Sequence, residues 1–207
     1  MVYPISKRIL MPLIKLLLIR KIEGLENIPK SRFIIAANHE SYIDAIAISA
    51  AVVPHIYKKI SFPTTRRGFF GLLLNHYLVE KLIGCIPVNG AVEKLIELLK
   101  KGEIVFIFPE GVVNPAKKLA RAHKGVALIA IKAKAPVVPV GIKNSYEIWS
   151  KKQIMPLPKK IIEIKIGKPI YLREYYNKKL IAKTLNAATV KIMKEIGKIV
   201  GKRYSNK

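Results

Sequence analysis

Between residues 32 and 142, short apolar stretches alternate with longer amphipathic ones. RFIIAA (32–37), GCIPV (84–88), EIVFIF (103–108) and PVVPVGI (136–142) are built on continuous apolar runs, as expected of strands covered on both faces. Between them SYIDAIAISAAVV (41–53), RRGFFGLLLNHYLVEKL (66–82), AVEKLIELLKK (91–101) and AKKLARAHKGVALIAIKAKA (116–135) carry helical spacing. HIYKKIS (55–61) and IIEIKIG (161–167) are two further candidate strands. Strand and helix in turn predict a single α/β domain with a largely parallel central sheet flanked by helices. Pro139, inside a strand run, predicts an edge position or a bulge.

The two ends add amphipathic segments. From about Glu174 to Gly201 the periodicity predicts one final helix. Ile181, Leu185, Ala188, Ile192, Ile196 and Ile199 share one face, and Lys183, Lys191, Lys194, Lys198 and Lys202 share the other. A solvated lysine face is the ordinary reading of that pattern. At the start, the apolar run from Ile9 to Ile19 is broken by Pro12 and Lys15, and it falls short of the roughly 20 residues that span a bilayer. No small-residue cleavage site follows it, which argues against a secretory signal. Lys7, Arg8, Arg20 and Lys21 flank the run. Residues 1–21 therefore read as an amphipathic membrane-interface segment ahead of a domain over 22–207. A helix closing the domain's own core fits the same pattern equally well.

Composition narrows the partners. The 207 residues hold 38 Lys and Arg against 13 Asp and Glu, a net charge of +25, with 51% hydrophobic content and a mean hydropathy of +0.23. Such a chain is folded and cationic, unlike a disordered basic tail. An anionic membrane surface and nucleic acid are the two large polyanions it would meet. The aromatics are not interleaved with basic residues as stacking platforms, so nucleic acid is disfavoured. Cys85, the single cysteine, excludes an internal disulfide and fits a reducing, cytoplasmic setting.

The most chemically loaded stretch is NHESYID, residues 38–44, straight after an apolar run. Ser41-x-x-Asp44 before an apolar helix is a capping-box pattern, which accounts for Asp44 but not for Asn38 or His39. In a continuous helix His39 and Asp44 would lie about 140° apart at 100° per residue. If the helix begins only at Ser41, the Asp44 carboxylate can reach back to one imidazole nitrogen and raise the basicity of the other. Such a base can take a proton from an alcohol. No G-x-S-x-G elbow supplies a nucleophile, and Cys85 reads as a small core residue. A substrate hydroxyl is then the natural nucleophile. His39, His55, His76 and His123 lack ligand spacing, so no metal is expected, and no glycine-rich phosphate loop occurs.

NHESYID resembles the N-H-x-x-x-x-D block of the glycerolipid acyltransferases, the family of the 1-acylglycerol-3-phosphate acyltransferases. Three more blocks follow in the family's order: Gly84-Cys85-Ile86-Pro87-Val88-Asn89, Phe108-Pro109-Glu110-Gly111 and Val138-Pro139-Val140. The similarity covers roughly residues 22–142. It implies transfer of a fatty acyl group from acyl-CoA or acyl carrier protein to a lysolipid hydroxyl, without a separate cofactor. It implies His39 as the base and Asp44 as its orienter, with Asn38, Glu110 and Gly111 at the acceptor site. The work would take place peripherally, on the cytoplasmic face of the cell membrane. Two departures bear on the acceptor. Asn89-Gly90 stand where the family has an acidic residue and an arginine, and Val112-Val113-Asn114 stand where it has Thr-Arg-Ser. Arg66 and Arg67, or Lys117 and Lys118, are the candidate replacements for the missing phosphate ligands. A related transferase with a non-phosphate lipid acceptor and a catalytically silent membrane-binding relative are the rival readings.

Overall fold

Ile34 and Ala36 point into one apolar layer and Ile35 and Ala37 into another, because alternate side chains of a strand face opposite ways. That double burial explains the unbroken apolar runs. In the computed structural model, which describes residues 6–56, 60–64, 85–150, 153 and 155–205, seven strands form one sheet. They are β1 (Ile19–Glu23), β2 (Ile34–Ala37), β3 (Ile60–Thr64), β4 (Cys85–Pro87), β5 (Ile104–Ile107), β6 (Val137–Lys143) and β7 (Ile162–Ile166), in the order β1-β7-β6-β2-β5-β3-β4. Every ladder is parallel except β6–β7. The single, largely parallel α/β sheet is as expected.

Among the described residues six α-helices flank it: α1 (Met11–Leu18), α2 (Asp44–Val52), α3 (Ala91–Lys100), α4 (Gly125–Ala133), α5 (Ser145–Ile148) and α6 (Ala182–Val200). The apolar residues of α1 and α2 fill one layer, and those of α3, α4 and α6 fill the other. The crossover from β2 through α2 leads toward β3, while the one from β5 through α4 returns across β2 to β6. Crossovers that leave neighbouring strands in opposite directions mark the carboxyl ends of β2 and β5 as the place where such sheets bind ligands.

Several elements differ from the sequence reading. Pro139 is in neither an edge strand nor a bulge but in β6, between β2 and β7. Its carbonyl accepts from the Gly167 N–H at 2.8 Å, so its nitrogen faces the chain just past the end of β7, and the missing N–H falls outside the β6–β7 ladder proper. Residues 116–124 are irregular, because the Leu119 N–H donates to the Arg203 carbonyl and the Ala120 N–H to Glu110. The final helix begins at Ala182 and leaves Ile181 exposed. β1 is a strand that the apolar pattern does not reveal. The helix expected over 66–82, with Arg66, Arg67 and His76, lies outside the described residues.

α1 is apolar on two sides. Met11 and Leu18 are buried and Ile14 packs against the same core, whereas Leu13, Leu16 and Leu17 are 48%, 63% and 48% exposed. No helix among the described residues is long and apolar enough to cross a membrane.

Candidate active site

The turn from β2 into α2 is built around one carboxylate oxygen. Oδ2 of the fully buried Asp44 accepts the backbone N–H groups of Glu40 at 2.6 Å and Ser41 at 2.8 Å. The same oxygen lies 2.9 Å from His39 Nδ1. An ionised carboxylate can only accept, so Nδ1 carries a hydrogen, and in the neutral imidazole Nε2 keeps its lone pair. Nε2 has no protein partner among the described residues, and the side chain is 17% exposed. Phe108 stacks on the imidazole, with centroids 3.9 Å apart and planes within 10°. Held by Asp44 at one edge and Phe108 across its face, the ring has one defined tautomer and orientation.

The capping box forms only in half. Asp44 reaches back to the Ser41 N–H as that motif requires. Ser41 Oγ instead donates to the Trp149 carbonyl at 2.6 Å and accepts from the Ile43 N–H at 3.3 Å. The helix proper therefore starts at Asp44, which leaves His39 outside it.

Glu110 fixes the turn from the other side. Its Oε1 accepts the His39 N–H at 3.2 Å, and its Oε2 accepts Asn114 Nδ2 at 2.8 Å and the Ala120 N–H at 2.6 Å. The Asn114 N–H in turn donates to the His39 carbonyl at 2.6 Å. Glu110 is 2% exposed, and its oxygens hold the catalytic turn against the loop after β5. Asn38 is tied down likewise. It is fully buried, its Oδ1 accepts from the Ile142 N–H, and its Nδ2 donates to the Ile142 carbonyl and to Glu40. Asn38 ties the end of β2 to β6.

Gly111 has a positive φ of 67°, and a Cβ there would lie 2.8 Å from His123 Cδ2. The glycine is thus required by its left-handed backbone and by the His123 ring. Gly90 also has a positive φ, 72°, at the start of α3. Asn114, in one of the departures from the family pattern, is bonded to both His39 and Glu110. The sequence pattern alone points neither to the Phe108 stacking nor to the Asn114 bonds. Phe108 was visible as the first residue of FPEG, whereas Asn114 gave no signal.

A family model described as Acyltransferase matches residues 19–143, more than half of the chain. The chain is 28% identical over 165 residues to the 1-acyl-sn-glycerol-3-phosphate acyltransferase of Bacillus subtilis, covering 75% of each protein. It is 29% identical over 160 residues to the chloroplastic 1-acyl-sn-glycerol-3-phosphate acyltransferase BAT2 of Brassica napus, covering 72% of this chain and 44% of that one. The match thus spans less than half the length of that plant relative. The crystal structure of the 1-acyl-sn-glycerophosphate (LPA) acyltransferase PlsC from Thermotoga maritima has the same fold, with a TM-score of 0.66 at 23% identity over 95% of this chain and 82% of that one. With the blocks in order, the fold in common and the model matched over most of its sheet, the chain belongs to the acyltransferase family.

Proposed function

We propose that the chain transfers a fatty acyl group from a thioester, acyl-CoA or acyl carrier protein, to the free hydroxyl of a 1-acylglycerol-3-phosphate or a related lysophospholipid. The observation that carries this reading is the His39–Asp44 pair just past the carboxyl end of β2. His39 Nε2 takes the proton of the acceptor hydroxyl as its oxygen attacks the thioester carbonyl. The tetrahedral intermediate collapses as the C–S bond breaks, and the imidazolium returns the proton to the departing thiolate. Asp44 holds the tautomer and favours the transient imidazolium. Gly111 borders the acceptor, and the outward leucines of α1 with their basic flanks seat the protein peripherally on an anionic, cytoplasmic membrane surface. Metal and nucleic acid play no part in this scheme.

Gly90 and Val113 leave the acceptor phosphate to other cations, and Arg66 with Arg67 are the pair assigned to it. Two guanidiniums can meet phosphate oxygens in bidentate fashion. Replacing both with Gln should raise KM for lysophosphatidic acid at least about tenfold, since a hydrogen bond to a charged group contributes roughly 1.5–3 kcal/mol. KM for a neutral monoacylglycerol should barely change. An enzyme that prefers the neutral acceptor from the outset would favour the second reading, a transferase for non-phosphate lipids, which the same two missing arginines support.

A further inference from the structure

Lys143, the last residue of β6, pairs with Glu163, while Ile19 at the start of β1 pairs with Ile162 at the start of β7. β2 and β6 run parallel. The exit of α1 and the connection from β6 to β7 therefore meet the sheet at the same end as the turn that carries His39. That connection is bonded to the turn itself: Ser41 Oγ donates to the Trp149 carbonyl at 2.6 Å. Ile148 and Trp149 are buried in the layer filled by α1 and α2.

The residues that follow present apolar tips to solvent. Met155 is 72% exposed, more than any leucine of α1, and Leu157 is 40% exposed. A lone exposed apolar residue is ordinary on a protein surface, but here the backbone holds the tips outward. The Leu157 N–H donates to the Ile148 carbonyl at 2.8 Å, Trp149 Nε1 donates to the Gln153 carbonyl at 3.2 Å, and Gln153 Oε1 accepts the Ser150 N–H at 2.6 Å. Pro156 and Pro158 fix φ on either side of Leu157. Charge has a single sign along this connection. Between Glu147 and Glu163 the sequence has four lysines and no acidic residue, and Lys159 and Lys160 are exposed beside Leu157. Val88, just past β4, and Val112, after β5, are also exposed beyond the carboxyl ends of their strands.

We propose that Met155 and Leu157, with Lys159 and Lys160, form a second membrane contact, which seats the carboxyl end of the sheet, and with it His39, toward an anionic lipid surface. The inference rests on the reading of the chain as an enzyme of lipid substrates, and it adds a contact that the α1 leucines do not supply. Apolar tips beside lysines gain both burial in the interface and attraction to lipid phosphates. A bilayer is the partner favoured here, because it matches the net charge of +25 and because α1, with its outward leucines, meets the sheet at the same end. Since Ser41 joins Trp149 to the catalytic turn, the seating of this loop sets how far His39 stands from the headgroups.

The test attaches an environment-sensitive fluorophore to the full chain through Met155→Cys or, as a control, Tyr171→Cys, each combined with Cys85→Ser because Cys85 is the only native cysteine. Tyr171 is exposed next to the Val137–Ile170 bridge, at the opposite end of β6. Each protein is mixed with vesicles of phosphatidylcholine and phosphatidylglycerol, with or without nitroxide on the acyl chains, and binding is followed by flotation. The label at position 155 should shift to the blue and be quenched by the nitroxide, and the label at position 171 should do neither. Without labels, Met155→Gln/Leu157→Gln should weaken vesicle binding about tenfold or more while its melting temperature stays near wild type. A bound protein whose label at position 155 stays in water, labels that respond alike at both positions, a double variant that binds as wild type does, or no binding by wild type overturns the proposal. The unlabelled double variant decides the matter if the labelled proteins fail to fold. None of these readouts needs turnover, so a chain that binds in this way and transfers no acyl group would defeat the functional reading alone.

Discussion

His39 Nδ1 and Asp44 Oδ2 lie 2.9 Å apart although five residues separate them, because the helix that carries Asp44 starts only at Asp44 itself. Asp44→Asn should separate the two duties of that carboxylate. The amide oxygen can still accept from the Glu40 and Ser41 N–H groups, so the melting temperature should change little. The charge that fixes the tautomer is lost, and transfer should fall by about 10²-fold or more. Wild-type rates in a folded Asp44→Asn protein would reduce the pair to a helix cap.

The Glu40 carboxyl is raised above its ordinary value of 4.5, first by burial and then by Asp44 and Glu110. A carboxyl raised in the folded state binds more protons there than in the unfolded state, so its contribution to stability is lost as pH rises from about 4.5 toward the raised value. Glu40→Gln abolishes that loss, while the Lys202 ammonium, 2.8 Å from Glu40 Oε1, keeps its charge throughout. The melting temperature of Glu40→Gln relative to wild type should therefore be more favourable at pH 7 than at pH 4. Thermal melts showing the reverse order would contradict the assigned direction.

Leu13, Leu16 and Leu17 face away from the core that Met11, Ile14 and Leu18 enter. Changing the three to Gln should leave thermal stability near wild type. Binding to vesicles of anionic phospholipid should weaken by well over tenfold, because full burial of each leucine contributes about 1.5–3 kcal/mol. A drop in melting temperature with unchanged flotation would place the membrane contact elsewhere.

The sheet was legible in sequence because β2, β5 and β6 are covered on both faces and so read as unbroken apolar runs. β1 was not, since IRKIE is an edge strand with only Ile19 and Ile22 apolar, and its charged residues pair with β7 through Arg20–Glu163 and Lys165–Glu23. The dyad was legible because an apolar strand, a helix start and a spacing of five leave few geometries. The buried roles of Asn38 and Glu110 were not, because each depends on a partner remote in sequence, Ile142 for one and Asn114 with Ala120 for the other. Lys202 was misplaced for a third reason. Helical periodicity assigns a face only while the helix lasts, and Gly201 ends it one residue too early.

The central claim is that His39 is the base for acyl transfer to a lysolipid hydroxyl. It is tested most directly by incubating purified wild type and His39→Ala with radiolabelled acyl-CoA, and in parallel with labelled acyl carrier protein, and lysophosphatidic acid in lipid vesicles, following labelled phosphatidic acid. Wild type should form product with one or both donors, and His39→Ala, folded by its melting curve, should lose about 10²-fold to 10⁴-fold in rate. No product from wild type with either donor, or equal rates from the two proteins, would contradict the account.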